Sequence, residues 1–100
     1  MNMNIYESVL IVPGSLSEET VQEFAAEIKN LFINCGAQEP EIIKLEKKHL
    51  AHPIKKIDEG YYIFIRFSAP PDSLKKISEN LRHNEKILRS AFLKMEEMLK

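Results

Sequence analysis

The sequence predicts an α+β domain in which four antiparallel strands carry two helices on one face. Three observations predict it. Ile5 to Val12 and Tyr61 to Ser68 are rich in β-branched and aromatic residues, and two other segments repeat apolar residues at helical spacing. The resulting order of strand, helix, strand, strand, helix leaves a place in the sheet that a final strand would fill. At 100 residues, 44% hydrophobic and 29% charged, the chain suits one domain with one core and lacks the composition of a disordered polymer.

The elements follow in order. Ile5 to Val12 (IYESVLIV) becomes almost wholly apolar towards its end, as a central strand does, and Pro13-Gly14 breaks it. Ser17 is the expected N-cap of a first helix. Leu16 and Val21 are spaced for a hydrophobic staple across it, and Glu18 and Glu19 suit the positive end of the helix dipole. Val21, Phe24, Ala25, Ile28, Leu31, Phe32 and Cys35 form one apolar stripe, and Gly36 is the left-handed stop. After Pro40, Glu41 to Leu50 reads as a half-buried edge strand in which Ile43 and Leu45 alternate with Lys44 and Glu46.

His52-Pro53 and Asp58-Glu59-Gly60 bracket the connection to the third strand, Tyr61 to Ser68 (YYIFIRFS). Pro70-Pro71-Asp72 opens a second helix that buries Leu74, Ile77 and Leu81. The last segment reads two ways. Ile87, Leu88, Ala91, Phe92, Met95 and Leu99 fit a helical stripe, whereas Ile87, Arg89, Ala91, Leu93 and Met95 alternate. Topology favours a strand over Ile87 to Lys94 beside the first strand, with 95–100 a frayed or helical tail. The outcome is a ferredoxin-like split βαβ arrangement (β-α-β-β-α-β) with sheet order 4-1-3-2. It forms a single domain over residues 1–100 with its core over about 5–94. One sheet face and two edges stay open, as in a binding module rather than an enzyme cavity.

The net charge of −1 hides a polarity along the chain. Up to Ile43 there is one basic residue against seven acidic ones, and from Lys44 onward thirteen basic against eight acidic. The densest basic stretch holds Lys44, Lys47, Lys48, Lys55 and Lys56 against Glu46 alone, with His49 and His52 inside it. Such asymmetry fits contact with a polyanion through one part of the surface, and equally a lysine-rich strand that discourages edge-to-edge aggregation. The single Cys35 excludes an internal disulfide and behaves as a small hydrophobe on the helix stripe. No apolar run approaches the ~18 residues of a membrane span, and Met1-Asn2-Met3-Asn4 has no basic region followed by an apolar stretch, so no secretory leader is expected. An unprocessed cytoplasmic domain is expected, with no membrane association and no small-molecule substrate.

His49 and His52 have no Cys, Asp or Glu at a spacing that completes a metal site, so no metal and no cofactor are expected. His49 is better suited to stacking on or hydrogen-bonding to RNA, and His52 to packing ahead of Pro53. Arg66, the one charge inside the third strand, should point to the open face, where it meets phosphate or a cross-strand carboxylate. Tyr61, Tyr62, Phe64 and Phe67 invite comparison with the RNA-recognition motif. Glu59-Gly60-Tyr61-Tyr62-Ile63-Phe64-Ile65-Arg66 lacks that motif's leading basic residue, its small residue after the aromatic and its final aromatic. Half of these rings are expected in the core.

In order along the chain, several features resemble the bacterial small-subunit ribosomal protein S6 family. They are Tyr6-Glu7 before an apolar strand and Pro13-Gly14; Asn34-Cys35-Gly36-Ala37 at a helix end; Lys48-His49-Leu50-Ala51-His52-Pro53-Ile54; Gly60-Tyr61-Tyr62; and Leu81-Arg82 followed by Ile87-Leu88-Arg89. The likeness runs from Tyr6 to about Lys94. His52 stands where that family usually has Tyr, His49 where a second basic residue is common, and Glu46 where Gly is frequent. The resemblance implies a non-catalytic protein that binds the central domain of small-subunit ribosomal RNA together with the small basic ribosomal protein S18. It implies RNA contact by Lys48 and Arg89 first and then by Lys47; His49, Lys56 and Arg66 are further candidates, taken from the basic stretch and the open sheet face. Two other classes are set against it. An acylphosphatase-like enzyme would need an Arg and a Gly-rich anion loop after the first strand, where Pro13-Gly14-Ser15-Leu16-Ser17 stands instead. A generic interaction or regulatory domain would dimerise through its open sheet.

Overall fold

The computed structural model describes residues 3–54 and 56–97. Six elements succeed one another: β1 (Asn4–Pro13), α1 (Glu18–Asn34), β2 (Gln38–Ile54), β3 (Ile57–Ala69), α2 (Pro71–Arg82) and β4 (Arg89–Glu97). The strands make one sheet in the order β2-β3-β1-β4, every neighbouring pair antiparallel, which is the expected order 4-1-3-2.

The period of two in β1 divides the molecule. Tyr6, Ser8, Leu10 and Val12 point into the core, while Ile5, Glu7 and Val9 point to the other face. From β3, Ile63, Ile65, Phe67 and Ala69 join the core side, and α1 lays Val21, Phe24, Ala25, Ile28 and Phe32 onto it. Ile77 and Leu81 of α2 complete the layer, with Leu74 at its margin. Phe67 is central. Its ring lies 4.8 Å from Phe32, 5.7 Å from Tyr6 and 6.4 Å from Phe92. Each such ring pair adds about 0.5–1.5 kcal/mol beyond the area it buries. Two buried polar groups on this side are paired: Asn4 Nδ2 donates to the Tyr6 hydroxyl at 2.9 Å, and the Ser8 hydroxyl to the Ile65 carbonyl at 3.3 Å.

The helix signals act as expected. Ser17 Oγ accepts the Thr20 N–H at 3.1 Å, and Leu16 and Val21 both join the core. Gly36 ends the helix with φ +108°, a conformation that L side chains rarely adopt.

Three boundaries differ from the sequence reading. β2 carries a bulge. Ile42 pairs with Ile65 and Lys44 with Phe64, so Ile43 has no opposite number and stands 42% exposed. Ile42 and Leu45, rather than Ile43 and Leu45, therefore face the core. The connection to β3 is a tight hairpin rather than a loop. Ile54 pairs with Ile57, Lys56 adopts φ +67°, and Gly60 lies within β3 opposite Pro13 and Lys48. Ala51, His52 and Pro53 are exposed whatever their parity, so neither face of the hairpin end is covered, and His52 does not pack before Pro53.

β4 begins at Arg89, after a turn in which the Leu88 N–H donates to the Ile11 carbonyl at 2.7 Å, and it runs on to Glu97. Glu96 and Glu97 pair with Ile5 and Asn4, so residues 95–97 are strand rather than tail. Edge pairing with β1 overrides the helix propensity of the segment. Residues 98–100 of the expected tail lie outside the described residues.

Candidate nucleic-acid interface

The face of the sheet away from the helices is built by alternation. On β2 it carries Lys44, Glu46 and Lys48, in register with Phe64, Tyr62 and Gly60 of β3. β1 continues these rows with Val9 and Ile11, and β4 with Ala91 and Arg89. One row therefore crosses the whole sheet as Glu46, Tyr62, Ile11 and Arg89. Its ends stand three strand spacings apart, about 14 Å. The centre of the face is apolar, with Tyr62 and Phe64 stacked at 6.4 Å and 20°, and Leu93 58% exposed.

On the β2 rim Glu46 lies between two ammonium groups. Its Oε1 is 2.6 Å from Lys48 Nζ, and its Oε2 is 3.3 Å from Lys44 Nζ. Oε1 is closed off from solvent beneath Lys48. The bond to Lys48, with the charge of Lys44 beside it, holds the Glu46 carboxyl below its ordinary pKa. In return the Glu46 carboxylate raises the Lys48 ammonium above its own. Lys48 also sits 5.4 Å over the Tyr62 ring.

The expected RNA residues do not form one patch. Lys48 is on the open face, and so is Arg89 at the start of β4. Lys47 and His49 point the opposite way. Lys47 lies 5.8 Å over the Tyr61 ring, and His49 Nε2 is 3.7 Å from Glu59 Oε2. Lys56 is exposed at the hairpin end, and Lys55 lies outside the described residues. Arg66 reaches the open face but is engaged there by Glu7 at 3.3 Å. A strand inverts direction at every residue, so a basic run along β2 is necessarily shared between two faces. Of the four rings, Phe67 is core, Tyr61 packs at its edge, and Tyr62 and Phe64 are on the open face.

The place of Glu46 between two lysines is a structural finding that its departure from the family pattern does not reveal. The signal was present in the spacing of Lys44, Glu46 and Lys48, which alternation puts on one side. Among the described residues, no group of three or more His, Cys, Asp or Glu side chains is placed to hold a metal ion, and no helix is long and apolar enough to cross a membrane. Two surface depressions are lined by Asn80, His83, Asn84, Glu85 and Lys86, and by Ser15, Ile57, Asp58 and Glu59.

Residues 5–94 match the family model described as ribosomal protein S6. A small ribosomal subunit protein bS6 from Phocaeicola vulgatus is 36% identical over 98 residues, covering 95% of this chain and 83% of that protein. The bS6 of a Picosynechococcus strain is 31% identical over 93 residues, covering 93% and 81%. Among solved structures, the 30S ribosomal protein S6 of Thermotoga maritima superposes with a TM-score of 0.79 at 23% identity, covering 93% of this chain and 88% of that one.

Proposed function

This chain belongs to the ribosomal protein S6 family, whose members are structural proteins of the small ribosomal subunit rather than enzymes, and from that membership we propose that it binds the central domain of the subunit's ribosomal RNA together with the basic protein S18. The observation that carries the reading is the family match over residues 5–94 joined to an uncovered sheet face rimmed by Lys44, Lys48 and Arg89. Cations in this setting bind phosphates, and phosphate contacts fix position and orientation on a folded RNA without reading sequence.

Lys48 and Arg89 take the leading contacts, at opposite rims of one face. Arg89 offers the fork geometry that grips two phosphate oxygens. Lys47, His49 and Lys56 extend contact along the other side and end of the β2–β3 hairpin. Arg66 contributes least, because its one-to-one pair with Glu7 carries no net charge, whereas Lys44, Glu46 and Lys48 together keep one positive charge. A domain of net charge −1 gains little from counterion release on its own. A basic partner supplies the missing charge, and the acid-rich early half of this chain suits it. The working location is the ribosome, in the cytoplasm.

Filter binding of central-domain RNA, with and without S18, tests this reading. Salt-sensitive binding that tightens when S18 is added is the expected result. Absence of salt-sensitive binding with S18 present overturns it.

A further inference from the structure

We infer that Lys44 and Lys48 form a single phosphodiester-binding clip on the open sheet face, and that Glu46 is its resident occupant, displaced when RNA phosphate enters. The inference rests on the RNA-binding reading above and names the place and manner of one contact.

The geometry is that of a filled anion site. Two ammonium groups four residues apart on one strand converge on the two oxygens of the carboxylate midway between them, at 2.6 and 3.3 Å. A phosphodiester presents two non-bridging oxygens at a similar bite, carries the same single negative charge, and accepts from the same donors. Lys44 and Lys48 remain 59% and 50% exposed at their side chains, so a ligand reaches them from solvent while Glu46 lies beneath at 28%. The floor is preformed. Tyr62 stacks on Phe64, and its ring holds Lys48 from below, so the ammonium has little freedom to lose when a phosphate replaces the carboxylate. Exchanging one anion for another also spares the site the repulsion of two bare ammonium groups. The carboxylate thus lowers affinity for RNA in exchange for a defined arrangement of the donors.

The probe is a short uridylate oligomer, which carries phosphodiesters without the shape of ribosomal RNA. Its binding is followed by fluorescence anisotropy over a range of salt concentrations. Glu46→Gln is compared with Glu23→Gln, which makes the same change of charge on the exposed side of α1. The expected result is that Glu46→Gln binds about fivefold more tightly than Glu23→Gln near 0.1 M salt, with a salt slope steeper by about 0.7, the value of one additional phosphate contact to a single strand. Adding Lys48→Gln to Glu46→Gln should abolish the gain. Equal affinity and equal slope for the two single variants overturn the inference, as does a gain that survives loss of Lys48. Circular dichroism of each variant separates these results from misfolding. Failure of wild-type protein to bind ribosomal RNA with S18 would remove the functional reading while leaving the uridylate comparison to decide the clip.

Discussion

Glu7 and Arg66 stand opposite one another in register across β1 and β3, and their side chains meet at 3.3 Å on the open face of the sheet. The pair makes the one charge within the apolar stretch 61–69 of β3 compatible with its neighbours. With Arg66 about half exposed, solvent screens most of the attraction. A double-mutant cycle with Glu7→Gln and Arg66→Gln, read by urea unfolding, should give a coupling of about 0.2–1 kcal/mol. Arg66→Gln should also weaken RNA binding less than Lys48→Gln does. An equal or greater loss at Arg66 would show that Glu7 does not hold the guanidinium back.

Lys48→Glu and Arg89→Glu reverse charge at the two rims of one face while touching none of the core. Each should reduce cosedimentation with the small ribosomal subunit. Each should leave the far-UV circular dichroism spectrum and the cooperativity of unfolding intact, because surface substitutions of this kind rarely disturb a fold. Loss of cooperative unfolding in either variant would mean that the side chain packs rather than recognises.

Gly60 is needed for close approach rather than for a turn. A Cβ there would lie 2.8 Å from Ile11 Cγ2 and 3.2 Å from the Val12 carbonyl oxygen, both held within the sheet. Gly60→Ala should therefore destabilise by about 1–3 kcal/mol, the usual cost of overpacking, despite the smaller entropy of the unfolded alanine chain. For a domain of this length, about 4–8 °C of melting temperature per kcal/mol makes the effect easy to read. An unchanged midpoint would show that the neighbouring strands can separate freely at this point.

The fold was legible because its signals are local and agree with one another. Ser17 caps, Gly36 stops, the α1 stripe is continuous, and β1 and β3 are unmistakably β-rich. What escaped reading depends on partners distant in sequence. The bulge that exposes Ile43 is defined by register against Ile65 and Phe64, and nothing within Glu41 to Leu50 marks which residue loses its partner. The extension of β4 to Glu97 depends on Asn4 and Ile5 at the other end of the chain. For the candidate interface, the residue types were visible but their directions were not. Lys47 and Lys48 adjoin in sequence and face opposite sides, so a count of basic residues along β2 overstates any one surface.

The pH dependence of the Lys48–Glu46 pair follows from the direction of each shift. The Glu46 carboxyl is held low by Lys48 first and by Lys44 second, so its contribution to stability is complete above the ordinary carboxylate pKa of about 4.3 and is lost as pH falls through the depressed folded value. The Lys48 ammonium is raised by Glu46, so its contribution is complete below about 10.4 and is lost as pH rises through the raised folded value. Between those limits the pair is intact at both ends. The difference in melting temperature between wild type and Lys48→Gln should therefore be flat from about pH 5 to pH 10 and should shrink below about pH 4. Its exposure also makes it sensitive to screening, so 1 M salt should flatten the acid limb. A difference that persists unchanged at pH 2 would assign the effect of Lys48 to its contact with the Tyr62 ring, since protonating the Glu46 carboxylate removes the ion pair and leaves that contact in place.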